Sequence, residues 1–424
     1  MPDATSHIEP VPAHHDPQRR HTGIRAGLEL FALSAYRQLW AGCVLLALGN
    51  FAERLAISWL VFVETGSILA AASTLAVRSG ASAIAAPFAG AFADRIPRGR
   101  LLLMTSVFKA AVMVATGFIA AGGISSQWPI LAMVALMGAA QAFEVPSTQA
   151  MVTDIVGRQR AMPALSMQSV GTRLVGVLGA LMGGIVSDRL GAPPALYIAA
   201  GLFVMGGLVL SGVRLPAKEA AFAAAGGIVR QTFDGIRTLT RTQSVAILLV
   251  IAMVVEIFGF AYQAVLPALA GDVLKLKATG YGVLTVAAAC GGVAGVLALA
   301  ALGDYKRKGA VVLVVIFVFG LGMVGLSSSE LLPVSLVFIG VMGACMATFD
   351  ALQWTLLQAH VPDEMRGRAV AAWVFAIGFG WTGHLAMGFA AEQFGVRWTL
   401  TGTGVALLIS GVTATLLFRR ASIR

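Results

Sequence analysis

The chain has 424 residues, of which 58% are hydrophobic and only 12% charged, against roughly 25% charged in an ordinary soluble domain. That balance excludes a water-soluble chain of two or three domains and implies one whose main solvent is lipid. The formal net charge of +10 would suit a nucleic-acid binder if the basic residues formed one stripe, but they are dispersed along the loops.

The first residues, Met1 to Gly23, carry Pro2, Pro10, Pro12 and Pro17 with His7, His14, His15 and His21. They read as a polar tail without the fixed spacing of a metal site, and no secretory signal is visible. Apolar runs then begin near Leu39, Ile68, Leu101, Trp128, Ala164, Pro194, Ser244, Gly280, Ala310, Leu332, Val370 and Trp398. Each is long enough to cross ~30 Å of hydrocarbon at about 1.5 Å per residue. The expected fold is therefore an all-α membrane protein of twelve transmembrane helices. The many Gly and Ala residues suit helices that pack closely in lipid. Cys43, Cys290 and Cys345 are scattered through apolar runs without a CxxC pair, so neither a disulfide nor a metal is expected.

Loop charge sets the orientation. Basic segments (Arg19, Arg20, Arg25 and Arg37; Arg95, Arg98 and Arg100; Arg158 and Arg160; Arg214 through Arg241; Lys306 to Lys308; Arg366 and Arg368; Arg419, Arg420 and Arg424) alternate with loops that are nearly free of Lys and Arg. The exceptions are Arg189, Lys275, Lys277 and Arg397. The bias predicts that both termini are cytoplasmic, in the cell (inner) membrane.

The longest connection falls mid-chain. It divides the sequence into a tail and interfacial segment (1–38), a first six-helix half (39–213), a cytoplasmic linker (214–243), a second half (244–418) and a short tail (419–424). The halves echo each other: Phe143-Glu144 precedes Arg158 and Arg160 as Phe349-Asp350 precedes Arg366 and Arg368, and Asp94 is answered by Asp304. Such duplication suits a carrier that rocks two halves about a central site.

Gly90-Ala-Phe-Ala-Asp94-Arg95-Ile-Pro97-Arg98 is similar to the motif between spans two and three of the major facilitator superfamily, with Pro97 where glycine is usual. Arg173 to Gly184 (RLVGVLGALMGG) resembles the antiporter motif of span five, with Ala180 in place of proline. Val361-Pro-Asp-Glu-Met-Arg366-Gly-Arg368 and the Phe143–Pro146 region look like the proton-coupled exporters that include enterobactin and macrolide efflux proteins. The resemblance implies a cavity lined by spans one, four, seven and ten. It also implies a cytoplasmic latch of Gly90, Asp94, Arg95, Arg98 and Asp304 that holds an outward-open state.

An ionisable group at a helix centre costs about 3 kcal/mol unless it faces a partner or water. Glu53, Arg54, Arg78, Lys109, Glu144, Arg173, Glu256, Asp350 and His384 all lie inside spans, so they are expected to line an interior. Asn50, Glu53 and Arg54 share one helix face, as do Gln141, Glu144 and Thr148; Glu256 and Gln263 are spaced i, i+7, and Asp350 and Gln353 i, i+3. Counting helix rise from the cytoplasmic ends puts Glu53 level with Arg78, and Glu144 with Arg173, Lys109 and Asp350. The predicted ion pairs are Glu53 with Arg78 and Glu144 with Arg173. Glu256 has no basic residue in its own span and is the first candidate for proton coupling, ahead of Glu53 and Asp350. His384, one turn from Trp381, is the remaining cavity candidate.

No phosphate-binding loop, HExxH pair or nucleophile elbow occurs, which argues against a pump driven by ATP and against an enzyme. The expected function is a secondary active, proton-coupled exporter of a small amphipathic molecule such as a drug or siderophore, acting as a monomer without a cofactor. Its partners would be the substrate, protons and the bilayer, with no nucleic acid. A lipid or lysophospholipid flippase of the same fold, a channel and a non-transporting membrane protein are the alternatives.

Overall fold

The computed structural model describes residues 29–93, 96–123, 126–157, 160–213, 242–302, 307–361, 372, 373 and 375–420. A short 3-10 turn, Leu30–Ala32, leads into α1 (Ser34–Thr65), followed by α2 (Ile68–Ala93), α3 (Arg98–Ala121), α4 (Trp128–Val156), α5 (Ala161–Leu190) and α6 (Ala192–Ser211). The second half holds α7 (Gln243–Phe258), α8 (Ala278–Ala301), α9 (Lys308–Ser327), α10 (Leu332–Ala359), α11 (Gly380–Phe394) and α12 (Val396–Arg420). Eleven helical stretches are long and apolar enough to span a membrane; α11, with 15 residues, falls below that length among the described residues.

Eleven of these starts lie within about five residues of the apolar runs, because charged and glycine-containing turns interrupt the hydropathy where the helices stop; the run near Val370 begins outside the described residues, and α11 starts at Gly380. One feature was not expected. The seventh span, Gln243–Val273, changes its winding after α7, passing through a 3-10 segment (Phe260–Val265), a helical turn at Leu266–Ala268 and a π segment (Leu269–Val273). Pro267, which cannot donate a backbone hydrogen bond, sits inside this irregular stretch.

In the first half α1 packs on α5 and α6, α2 on α4, and α3 on α6; in the second, α10 packs on α8 and α9, and α9 on α12. Glycine makes these approaches close, as dispersion-driven packing in lipid requires. A Cβ on Gly183 would stand 2.7 Å from the Ala52 carbonyl oxygen. On Gly291 or Gly343 it would collide with the backbone of the facing helix at Gly340 or Ala288. The Gly-rich run of α5 is thus a packing surface for α1, and at Gly184 for the start of α8.

Each half has its own apolar core. One, from Leu30 to Val213, belongs wholly to the first half. The other fills the second half and reaches across to Leu55, Phe62, Ala71 and Ala180. The halves meet along two seams, α5 against α8 and α2 against α11. Because successive helices run in opposite directions, the ends of α5 and α11 and the starts of α2 and α8 share the face opposite the chain termini.

Candidate functional site

Inside the first half Glu53 and Glu144 are each held by a basic side chain. Arg78 on α2 places Nη2 2.8 Å from Glu53 Oε2, as a hydrogen bond, and 2.7 Å from Oε1. Glu53 is wholly buried, and the predicted pairing of these two residues is present. Charge pairing of this kind is what lets a carboxylate stay in an apolar bundle.

The second predicted pair is corrected. Glu144 does not bind Arg173; its Oε2 lies 2.7 Å from Lys109 Nζ on α3. Lys109 also donates to Asn50 Oδ1 at 2.7 Å, and Asn50 Nδ2 donates to Glu144 Oε1 at 3.2 Å. Three helices are therefore tied by one closed triangle of hydrogen bonds, and the Lys109 ammonium also stands 4.2 Å over the Phe203 ring. Helix rise alone set Arg173 and Lys109 at one depth, but only the azimuth of each helix decides which of them meets Glu144. Arg173 is exposed on α5 and makes no ion pair among the described residues.

Arg54 completes the first-half cluster. Its Nη2 donates to Gln141 Oε1 at 3.2 Å and its guanidinium lies 5.7 Å from the centre of the Phe51 ring. It has no carboxylate within ion-pair distance among the described residues, and its buried Nε lacks a partner. The cluster thus holds Glu53 and Glu144 against Arg54, Arg78 and Lys109.

The second half is built differently. Neither Glu256 on α7 nor Asp350 on α10 has a hydrogen bond or ion pair among the described residues. Glu256 packs against α11, where a Cβ on Gly380 would stand 2.7 Å from its Oε1. Gln263 spends its amide on the Phe260 carbonyl at 3.4 Å and Met346 Sδ at 3.6 Å. Gln353 donates to the Leu248 carbonyl at 3.3 Å, and among the described residues its buried Oε1 has no partner, nor does His384 Nδ1.

The internal repeat explains the contrast. At an offset of 206 residues Asp350 corresponds to Glu144; at 210 residues Phe260 corresponds to Asn50 and Phe319 to Lys109. Phe260 has ring-centre distances of 6.2 Å to Phe319 and 6.3 Å to Phe349. An aromatic cluster therefore occupies the place of the polar triangle, and the acid it retains has lost both partners. Glu256 and Asp350 of the second half are thus left without an ion-pair partner among the described residues.

Of the latch residues, Asp94, Arg95 and Asp304 lie outside the described residues, as do 1–28 of the tail and 214–241 of the linker. Gly90 falls in the last turn of α2, and Arg98 forms an ion pair with Asp154 of α4, a contact within the first half.

A family model described as transmembrane secretion effector matches residues 26–422. The chain belongs to this family of the major facilitator superfamily. It is a multi-pass membrane protein of the transporter fold. Over 384 residues it is 25% identical to the multidrug efflux pump Tap of Mycolicibacterium fortuitum, covering 88% of this chain and 92% of Tap. A shorter match, 34% identical over 123 residues, joins it to the multidrug resistance protein MdtG of Serratia proteamaculans (strain 568), covering 29% of this chain and 28% of that one. Solved structures share the fold at low identity. A bacterial homologue of the human lysosomal transporter Spinster gives a TM-score of 0.69 at 15% identity, covering 91% of this chain and 97% of that one. The nucleoside transporter NupG gives 0.71 at 13%, covering 91% and 99%.

Two residues that hold the halves together were missed by the sequence reading: Asp188 and Glu392. Their signal is a repeated acid, two residues and a glycine, Asp188-Arg-Leu-Gly191 and Glu392-Gln-Phe-Gly395. Both glycines adopt positive φ, 88° and 80°, and each is the whole link to the next helix.

Proposed function

We propose that this protein is a proton-coupled exporter of small amphipathic molecules, of the drug-efflux kind its relative Tap is named for, working by alternating access in the cell membrane with both termini cytoplasmic. One observation carries the reading: Glu53 and Glu144 of the first half are tied to basic partners, whereas Glu256 and Asp350 have none among the described residues. Groups that are already paired supply a fixed scaffold. A carboxyl group without a partner is the one that can accept either a proton or a cationic substrate and release the other, which is what exchange requires. Phe260 and Phe349 are buried in the apolar core of this half and would offer an amphipathic cation a cation–π contact where opening of the cavity uncovers them.

The test is transport into proteoliposomes under an imposed pH gradient, measured with substrate binding in the same preparation. Gln keeps the size of a protonated Glu but cannot ionise. Glu256→Gln should abolish uphill transport while binding or passive exchange persists. Normal uphill transport by this variant would remove Glu256 from coupling and leave Asp350 as the next residue to test. Lysophospholipid assayed alongside a soluble drug separates export from lipid flipping.

A further inference from the structure

Two carboxylates at the face opposite the termini reach from one half of the molecule into the other. Asp188, in the last turn of α5, accepts hydrogen bonds from the backbone N–H groups of Ala278 and Thr279, both at 2.8 Å, at the start of α8, and also from the Thr279 hydroxyl. Glu392, in the last turn of α11, accepts from the backbone N–H groups of Ile68 at 2.6 Å and Leu69 at 3.1 Å, at the start of α2. The first N–H groups of a helix have no partner within it and carry the positive end of its dipole. In each case the acceptor comes from the opposite half. No side chain in the same helix caps α8.

The two contacts are the same contact made twice. In each half the fifth helix supplies the acid and in the other the second helix supplies the amides. The acids are offset by 204 residues and the capped residues by 210. Beneath each contact the seam is made of small residues: Gly184 against Ala278 and Gly388 against Leu69 and Ala72. Between the two, Trp59 of α1 stacks on Tyr281 of α8, with ring centres 6.4 Å apart.

We propose that Asp188 and Glu392 form a two-point clasp that holds this face shut, and that both contacts must break whenever the cavity opens to it. The clasp rests on the alternating-access reading given above and adds to it the residues that fix one end state. Each contact uses a charge-assisted acceptor, and opening leaves two helix starts to be capped by water.

Accessibility of a cysteine placed in the seam tests this without substrate. Ala72 is wholly buried where α2 meets Gly388, and the native Cys290 is exposed while Cys43 and Cys345 are buried. Ala72→Cys in a Cys290→Ser background is purified as the full chain in detergent and reacted with a maleimide. Adding Asp188→Ala and Glu392→Ala together should raise the labelling rate about tenfold, from the loss of two helix caps, with each single variant in between. An unchanged rate in the folded double variant overturns the clasp. Should that variant fail to fold, Asp188→Asn with Glu392→Gln is judged by the same criterion, with a rise of at least about threefold expected from the loss of charge. Labelling reads the clasp even in a protein that transports nothing, so its failure is separate from failure of the export reading, which the transport assay decides.

Discussion

Replacing Glu53 by Gln should destabilise the protein far more than replacing Glu256 by Gln, although both are acids inside the bundle. Glu53 lies 2.7 to 2.8 Å from the Arg78 guanidinium, and the two side chains are 0% and 7% exposed. At an effective dielectric constant of about 20, charges at that distance interact by about 6 kcal/mol. The Gln amide oxygen can still accept one hydrogen bond from Arg78, worth about 1.5 to 3 kcal/mol. The net loss is about 3 to 5 kcal/mol, the usual figure for stranding one member of a buried pair. Glu256→Gln breaks no hydrogen bond or ion pair among the described residues, so its effect should stay within about 1 kcal/mol. Removing both charges, as Glu53→Leu with Arg78→Met, should recover most of the loss, because apolar replacement of a buried pair is often neutral. Unfolding in mixed micelles, followed by fluorescence of the seven tryptophans, measures all of these variants against the parent. If Glu53→Gln were as stable as the parent, or Glu256→Gln as damaged as Glu53→Gln, the division into a paired half and an unpaired half would be wrong.

Gly183→Val should lower the yield of folded protein and destabilise it by about 1 to 3 kcal/mol, since α5 would have to move off the Ala52 carbonyl; size-exclusion profiles and thermal unfolding check this, and a parent-like profile would contradict the packing. A cysteine introduced at position 225, in a Cys290→Ser background that keeps only the buried Cys43 and Cys345, should resist a membrane-impermeant reagent in intact cells and react after lysis. Labelling without lysis would invert the proposed orientation.

The helices were legible in the sequence because lipid demands long uninterrupted apolar runs, so that Trp128 and Ile68 mark helix starts almost unaided. The Glu53–Arg78 pair was legible too, since helix rise fixes depth and these two residues match in depth. Depth failed for Glu144. Arg173 and Lys109 share its level, and which of them it meets depends on how α3 and α5 are rotated about their axes, a tertiary property that periodicity does not encode. Asp188 and Glu392 were passed over because acids near a helix end read as solvated loop residues. Their partners are backbone amides 90 or more residues and more than 320 residues away, and backbone amides leave no mark on a sequence. The altered winding after Phe258 likewise has only Gly259 and Pro267 as local signals.

The exchange of a polar triangle for an aromatic cluster at the repeat-related position changes how the two halves can evolve. In the first half, Asn50, Lys109 and Glu144 constrain one another, so that a change at any of them leaves a buried polar group without a partner. Around Glu256 and Asp350, Phe260, Phe319 and Phe349 are buried in the apolar core, so a change at any of them alters packing and strands no charge. Volume-conserving apolar exchanges, which usually cost less than about 1.5 kcal/mol, are therefore open one at a time to α9, α10 and the seventh span, while the first half keeps its triangle only if its three members change together.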